Sequence, residues 1–133
     1  MTQATPQSIL PFTGERFTPE CVREIAYEHW HRYAFALSLV AGKHVLDAAC
    51  GEGFGAALLA CKAASVQAID IDAASIEHAK TRYASSGNLQ FHQTDVTLLD
   101  QLPAESFDVI TSFETLEHVM EHDRLLAGFH RLL

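Results

Sequence analysis

A glycine-rich turn that follows a short apolar segment constrains the fold of this chain more than any other feature. Residues 44–55 read H-V-L-D-A-A-C-G-E-G-F-G, and the residues after them are rich in alanine and leucine. This pattern predicts a strand over 44–48, a turn, and a helix over 54–64. Glycine tolerates positive φ and lets a ligand approach the backbone, so the unit favours a ligand-binding turn at the start of a helix.

Strands and helices alternate through the remainder of the chain. A long helix is predicted over 20–40, and the later elements are strands over 66–71, 89–93 and 107–113 and helices over 73–85 and 123–133. Strands that alternate with helices of this length indicate a parallel sheet covered by helices on both faces. We therefore predict an α/β fold with a doubly wound parallel sheet. Residues 1–19 are predicted as an irregular N-terminal segment and residues 20–133 as one domain.

Composition and charge exclude several classes of protein. The net charge is −8 with histidines neutral, and a protein that reads a nucleic-acid backbone needs a basic surface, so we predict no nucleic-acid partner. No apolar run approaches the roughly 18–20 residues that a membrane span needs. The N-terminus lacks a signal-peptide pattern, so a cytoplasmic location is predicted. The three cysteines form no C-x-x-C pair, and Cys61 is predicted to lie in the core.

Each predicted strand ends near a carboxylate. Ligands of open parallel sheets bind outside the carboxyl ends of the strands, so these side chains are expected at one edge: Asp47, Asp70, Asp95 and Glu114. An acidic edge suits a ligand that carries hydroxyls, amines or positive charge, and it disfavours a polyphosphate. Residues 51–56 also satisfy the dinucleotide pattern G-x-G-x-x-G/A, and Asp70 follows Gly51 by 19 residues, a spacing at which an acid meets ribose hydroxyls.

Four motifs in this order resemble those of the class I S-adenosylmethionine-dependent methyltransferases, in particular the small-molecule and polysaccharide-associated members. They read D-A-A-C-G-E-G-F-G, V-Q-A-I-D-I-D, T-D-V and F-D-V-I-T-S-F-E-T-L-E-H, and the resemblance covers roughly residues 13–133. It implies a Rossmann-like sheet of methyltransferase type. It also implies a methyl transfer to a small-molecule or saccharide-type acceptor, with S-adenosyl-L-methionine as cofactor and S-adenosyl-L-homocysteine as product.

The resemblance assigns a first group of residues to the methionine part of the cofactor. The backbone of Gly51 and Gly53, with Asp47 and Ala49 beside it, is expected to face this part of the molecule. The carbonyl of Phe113 is expected near the α-amino group. A sulfonium ion and an ammonium group both favour an acidic pocket because opposite charges attract.

A second group is assigned by the same resemblance to the nucleoside. Asp70 is expected to accept hydrogen bonds from both ribose hydroxyls, and Ile71 is expected to pack on the adenine ring. Asp95 would receive the adenine amino group, while Val96 would offer backbone polar contacts.

The acceptor side is expected to contain a general base. Methyl transfer needs alignment of the reacting atoms, and a base helps when the acceptor is a hydroxyl. The candidates are Glu114, Glu117 and His118 after the fourth strand and Tyr27, His29, His31 and Tyr33 on the first helix. Among them we predict His118 as the base, with Glu114 as a second catalytic residue, because both follow the fourth strand. One of His29 and His31 is expected to line the pocket. Substrate-pocket candidates on the first helix are Tyr27, His31 and Tyr33. His118 and His122 have helical spacing but no evident third ligand, so no metal site is predicted.

The family has further strands that the residues after 113 do not supply, so the domain is expected to be incomplete at its C-terminal end. The outer edge of the fourth strand would then be open, and open apolar edges promote association. We predict a homodimer formed through this edge. Two alternatives stay open: a non-catalytic cofactor-binding or assembly module and, more weakly, an NAD-dependent oxidoreductase.

Overall fold

A computed structural model describes residues 23–133 and, because residues 23–27 are described only as backbone, side chains from residue 28 onward. The predicted irregular segment 1–19 and the start of the first helix lie outside the described residues. The elements in order are α1 (Arg23–Leu37), β1 (His44–Ala48), α2 (Phe54–Ala60), β2 (Ser65–Asp70), α3 (Ala73–Arg82), β3 (Leu89–Gln93), β4 (Val109–Thr111), a 3₁₀ turn (Leu116–His118) and α4 (His122–Leu132).

The strands form one parallel sheet in the order β3-β2-β1-β4. This confirms the predicted α/β fold with a Rossmann-like parallel sheet. Chain order runs outward from β1 to β2 and β3 on one side, whereas β4 lies on the other side. The strand order therefore reverses between β1 and β4, and ligands of open α/β sheets bind at such a point. None of the helices between residues 23 and 133 is long and apolar enough to cross a membrane.

Side chains that alternate along β1 fill cores on both faces of the sheet. Val45 belongs to a cluster with Leu59 and Ile76 from α2 and α3. Leu46 belongs to a second cluster with Leu99 and with Leu132 from α4. Burial on both faces explains why both Val45 and Leu46, which point to opposite faces, are apolar.

Several element boundaries differ from the prediction, most of all those of α2, α3 and β4. Helix α2 ends at Ala60 because the side-chain amide of Asn88 donates hydrogen bonds to the carbonyls of Ala60 and Ala63, at 2.8 and 3.1 Å. These bonds satisfy carbonyls that a longer helix would use internally. Cys61 is consequently exposed after the helix end, so its predicted place in the core is wrong. Helix α3 ends at Arg82 instead of residue 85.

Strand β4 is shorter than predicted because of α4. The backbone amide of Phe107 donates a hydrogen bond to the carbonyl of Leu132 at 3.1 Å. This bond ties the segment before β4 to the last turn of α4, so the ladder with β1 covers only Val109–Thr111.

A buried carboxylate connects three elements. Asp47 on β1 is 0% exposed, and it accepts hydrogen bonds from the Thr111 hydroxyl on β4 at 2.8 Å and the Tyr33 hydroxyl on α1 at 3.1 Å. Burial raises the pKa of Asp47 to about 7, although the bonds from Thr111 and Tyr33 favour the charged form. The Asp47 carboxyl therefore holds α1 against the sheet at the point where the strand order reverses.

The ring of Tyr33 occupies the space that a side chain at residue 55 would need. A Cβ atom added to Gly55 would lie 2.0 Å from the Tyr33 ring. Only glycine at this position lets the Tyr33 hydroxyl reach Asp47 while α1 packs on α2.

We expect Gly55→Ala to lower the free energy of unfolding. Alanine gains about 1 kcal/mol of helix propensity over glycine, whereas overpacking of a tight site costs about 1–3 kcal/mol or more. Because the Tyr33 ring is so close, we expect the overpacking cost at this site to lie at the upper end of that range and to exceed the gain in helix propensity. Urea unfolding measures the change. Gly87→Ala is the matched control, because nothing lies within 4 Å of its added Cβ. Equal stability of the two variants would contradict the packing of Tyr33 on residue 55.

We expect Asp47→Asn to remove a pH dependence of stability. The pKa of Asp47 rises from 3.8 to about 7 on folding, so folding favours the protonated acid. The stabilisation of the fold by protonated Asp47 is complete below pH about 4. It decreases by on the order of 1 kcal/mol per pH unit above that and is lost as the pH rises through about 7. Asparagine cannot titrate. The difference in unfolding free energy between variant and wild type should therefore shift in favour of the variant over this range.

Urea unfolding at several pH values between about 4 and about 8 makes this measurement. Asp100→Asn serves as control because Asp100 is exposed and should leave the slope unchanged. A constant difference between Asp47→Asn and wild type across that range would show that Asp47 has no raised pKa.

Candidate functional site

A cavity of about 770 Å³ opens at the carboxyl ends of the strands. Its walls come from the segments after all four strands and from α1, with the turn after β4 on one side. The volume lies within the range of small-molecule and cofactor sites. The sequence prediction that the strand ends converge on one ligand site is therefore consistent with the geometry.

The glycine turn contributes only part of its backbone to the cavity. Ala49 and Gly51 line the wall, and both have left-handed φ, 65° and 58°. A non-glycine residue held in this region stores backbone strain, and such strain is concentrated at functional sites. Gly53 does not line the cavity. A Cβ atom there would lie 2.6 Å from the Phe91 ring, so packing needs a glycine at this position, and its contact with a ligand stays a prediction.

Asp70 lies at the cavity wall with its carboxylate held by the backbone. Its two oxygens accept hydrogen bonds from the amides of Gly51 and Asp72, each at 2.9 Å. The first bond links the glycine turn to the end of β2, so the position of Asp70 and the shape of the turn depend on each other. Ile71 follows it and is 65% exposed while lining the cavity. A carboxylate is thus placed beside an accessible apolar surface.

Asp95 is placed in the same cavity by its own turn. Its Oδ1 accepts hydrogen bonds from the amide of Thr97 at 2.8 Å and from the Thr97 hydroxyl at 2.7 Å. Both bonds hold the pKa of Asp95 below its usual value, and the bond from the backbone amide has the larger effect. Asp95 is therefore a carboxylate at neutral pH. Val96 and Thr97 also line the wall. The sequence analysis missed Thr97, although an Asp followed two residues later by Thr is a recognisable turn signal.

Asp47 is not at the cavity surface. The sequence analysis placed it beside the ligand, but its carboxylate is buried between Thr111 and Tyr33. It reaches the cavity only through Tyr33, whose side chain lines the wall as predicted. Thr111 was also missed. A hydroxyl within an otherwise apolar strand, in register with Asp47 on the neighbouring strand, is the signal that identifies the pair.

The end of β4 supplies Phe113 and Glu114 to the cavity. Phe113 packs edge-on against the Tyr33 ring with the centroids 5.0 Å apart. Glu114 has a left-handed φ of 54°, and its Oε1 lies 2.6 Å from Nη1 of Arg32 on α1. This ion pair joins the first helix to the segment after β4. Residues 82 positions apart in sequence form it, which is why sequence patterns did not reveal Arg32.

The histidines near the cavity are placed differently from one another. His118 lines the wall, but its side chain is 54% exposed and its nearest carboxylate is Glu117 at 4.0 Å. His29 lines the wall as well, whereas His31 is exposed and does not line it. Of these two histidines, the structure therefore brings only His29 to the cavity wall. On a helix, residue 29 shares a face with Tyr33 at i+4, and residue 31 faces away from both. The side chain of Tyr27 lies outside the described residues.

Within residues 23–133, no group of three or more metal-binding side chains comes together. His122 has the helical spacing to His118 noted above, but its Nε2 lies 2.6 Å from the carbonyl of Leu116. That contact links His122, the first residue of α4, to the 3₁₀ turn before the helix.

Comparison with known proteins gives consistent matches. Residues 46–133 match the family model described as "Methyltransferase domain". A Mycobacterium tuberculosis protein named "Probable S-adenosylmethionine-dependent methyltransferase" is 32% identical over 128 residues, covering 95% of this chain and 45% of that protein. The ubiquinone biosynthesis O-methyltransferase of Pseudomonas syringae pv. tomato is 35% identical over 96 residues, covering 71% of this chain and 41% of that enzyme.

Solved structures agree on the fold. The YcgJ protein from Bacillus subtilis superposes with a TM-score of 0.72 at 23% identity, covering 79% of this chain and 47% of that one. The chain spans less than half the length of the curated relatives named above. The family model covers well over half of the chain and begins within β1, at the strand that leads into the glycine turn. The chain therefore belongs to the methyltransferase domain family.

Proposed function

We propose that this chain is the cofactor-binding part of an S-adenosylmethionine-dependent methyltransferase and that the cavity at the strand ends is its cofactor site. The observation that carries the proposal is the set of carboxylates at the wall. Asp70 is held by the Gly51 amide, and Asp95 stays charged through its bonds from Thr97. A cationic ligand with ribose hydroxyls suits this set of acceptors.

The nucleoside end of the cofactor fits the residues after β2 and β3. Asp70 offers a fixed carboxylate to the ribose hydroxyls, and the exposed side chain of Ile71 offers an apolar surface for the adenine ring. Asp95 and Val96 would meet the adenine edge.

The methionine end fits the opposite part of the wall. The backbone of Ala49 and Gly51 and the segment of Phe113 line it, and these would hold the amino-acid group. When bound, S-adenosyl-L-methionine supplies an electrophilic methyl group and is converted to S-adenosyl-L-homocysteine. The protein contributes binding, alignment and exclusion of water, which account for a large part of the rate of such displacements.

The acceptor is proposed to be a small molecule or a saccharide-type compound. Support comes from the family and from one relative named as a ubiquinone biosynthesis O-methyltransferase. The negative charge of the chain disfavours a nucleic-acid acceptor. His118 and Glu114 stay predicted as catalytic residues, and both line the cavity. The cytoplasmic location likewise stays a prediction.

The alternatives differ in what they bind. A non-catalytic module would bind S-adenosylmethionine without transferring its methyl group. An NAD-dependent oxidoreductase was disfavoured because an acidic strand edge disfavours a polyphosphate, and the burial of Asp47 removes that residue from the argument. The negative charges of Asp95 and Glu114 at the wall still disfavour a pyrophosphate.

Calorimetry is expected to show binding of S-adenosylmethionine and S-adenosylhomocysteine and none of NAD. Asp70→Asn should weaken binding of both sulfur compounds by roughly tenfold to a hundredfold, because hydrogen bonds to a charged group contribute about 1.5–3 kcal/mol. Asp95→Asn should weaken binding in the same direction. Asp100→Asn is the matched control because it is an exposed aspartate outside the cavity.

Thermal unfolding of each variant separates loss of a contact from loss of structure, since Asp70 also holds the glycine turn. Binding of NAD in place of the two sulfur compounds would overturn the proposal. Binding of S-adenosylmethionine without any methyl transfer to hydroxylated acceptors would favour the non-catalytic module.

We also propose a homodimer formed through the outer edge of β4. Within residues 23–133, β4 pairs only with β1 and lies at the edge of the sheet. Sedimentation equilibrium is expected to give twice the mass of a single chain at high protein concentration. A single-chain mass at every concentration would contradict this proposal.

A further inference from the structure

His29 occupies a more enclosed position at the cavity wall than His118. Its side chain is 12% exposed, and its Nε2 lies 3.6 Å from Oε2 of Glu114. His29 belongs to α1, and the Glu114 carboxylate follows β4 on the facing side of the same cavity. An imidazole and a carboxylate therefore meet across the wall.

The second oxygen of this carboxylate is held independently. Oε1 of Glu114 lies 2.6 Å from Nη1 of Arg32, and the left-handed φ of Glu114 turns its side chain toward α1. Arg32 and His29 are three residues apart, so they lie on the same face of the helix. Glu114 is thereby fixed between a guanidinium group and an imidazole.

Electrostatics keep this imidazole in its basic form. Burial is the main cause that lowers the pKa of His29, and Arg32 lowers it further. The charges of Glu114 and Glu28 act in the opposite direction. The neutral ring can accept a proton near neutral pH, and the adjacent carboxylate stabilises the imidazolium once it forms. His118 has a more exposed ring and only Glu117, at 4.0 Å, nearby.

We propose that His29, oriented by Glu114 and Arg32, is the general base that accepts the proton of a hydroxyl-bearing methyl acceptor. This inference rests on the proposed function and replaces His118 in that role. The acceptor O–H bond breaks, its proton passes to the imidazole of His29, and the electron pair left on the oxygen forms the new O–CH3 bond. The S–CH3 bond of the sulfonium would break in the same displacement, and its electron pair would stay on sulfur in S-adenosyl-L-homocysteine. His29 then returns the proton to water.

The surroundings of His29 favour an uncharged aromatic hydroxyl. Phe54 lines the cavity, and its ring lies 6.0 Å from that of Trp30, which is next to His29 in sequence. Glu121 at the wall would repel a carboxylate or a phosphate. A phenol suits these surroundings because its ring is apolar and it carries no carboxylate or phosphate. Its hydroxyl is also acidic enough for imidazole to assist.

The test uses para-nitrophenol as a probe, because its ionisation is visible in its absorption spectrum. With protein saturated in S-adenosylhomocysteine, the bound probe is expected to ionise at lower pH than the free probe. His29→Asn should abolish this shift. His31→Asn is the matched control, since His31 lies on the same helix but outside the cavity, and it should retain the shift.

The role of Glu114 has a separate readout. Nuclear magnetic resonance titration of His29 in Glu114→Gln should show the midpoint moved to lower pH, because the stabilising charge is lost. Glu117→Gln removes a neighbouring exposed carboxylate and should leave the midpoint unchanged. An unmoved midpoint in Glu114→Gln would rule out the positioning role.

Other outcomes contradict the assignment of His29. Absence of a shift in the wild type overturns it, and so does a shift that survives His29→Asn or is lost only in His118→Asn. Calorimetry with S-adenosylhomocysteine on the same samples keeps the two proposals distinct. Failure of that binding counts against the cofactor site, whereas intact binding with no probe shift counts against His29 alone.

Discussion

A carboxylate buried among three elements is the interaction on which the site depends. Asp47 ties Thr111 of β4 and Tyr33 of α1 to the centre of the sheet. A buried acid that lacked these hydrogen bonds would cost several kcal/mol, so the arrangement holds only when all three elements are in place. The same contact sets the position of α1 against the carboxyl ends of the strands.

The cavity follows from that position. Helix α1 forms one wall, and its face carries His29, Arg32 and Tyr33 toward the segments after β1 and β4. The glycine turn forms another part of the wall and is tied to β2 through Asp70. Each wall is therefore secured by a carboxylate, one buried and one at the surface of the cavity, and neither depends on the other's hydrogen bonds.

Sequence reasoning was most successful where a feature depends on neighbours along the chain. The bounds of β1 and β3 were predicted correctly, and Asp70 and Asp95 lie at the cavity because the ends of parallel strands share an edge. It failed where distant residues decide the outcome. Asn88 ends α2 from 28 positions away, and Arg32 holds Glu114 across 82 positions. Period and spacing carry no information about such pairs.

The sequence by itself determined the parallel α/β fold, the order of the cofactor motifs and the strand ends at which their acids lie, because hydrophobic period and glycine spacing are local properties. Only the tertiary structure decided which of those acids lines the cavity. It buried Asp47, exposed Asp70 and Asp95 to the cavity, and selected His29 over His31, because the burial of a side chain depends on the packing of helices that are far apart in sequence.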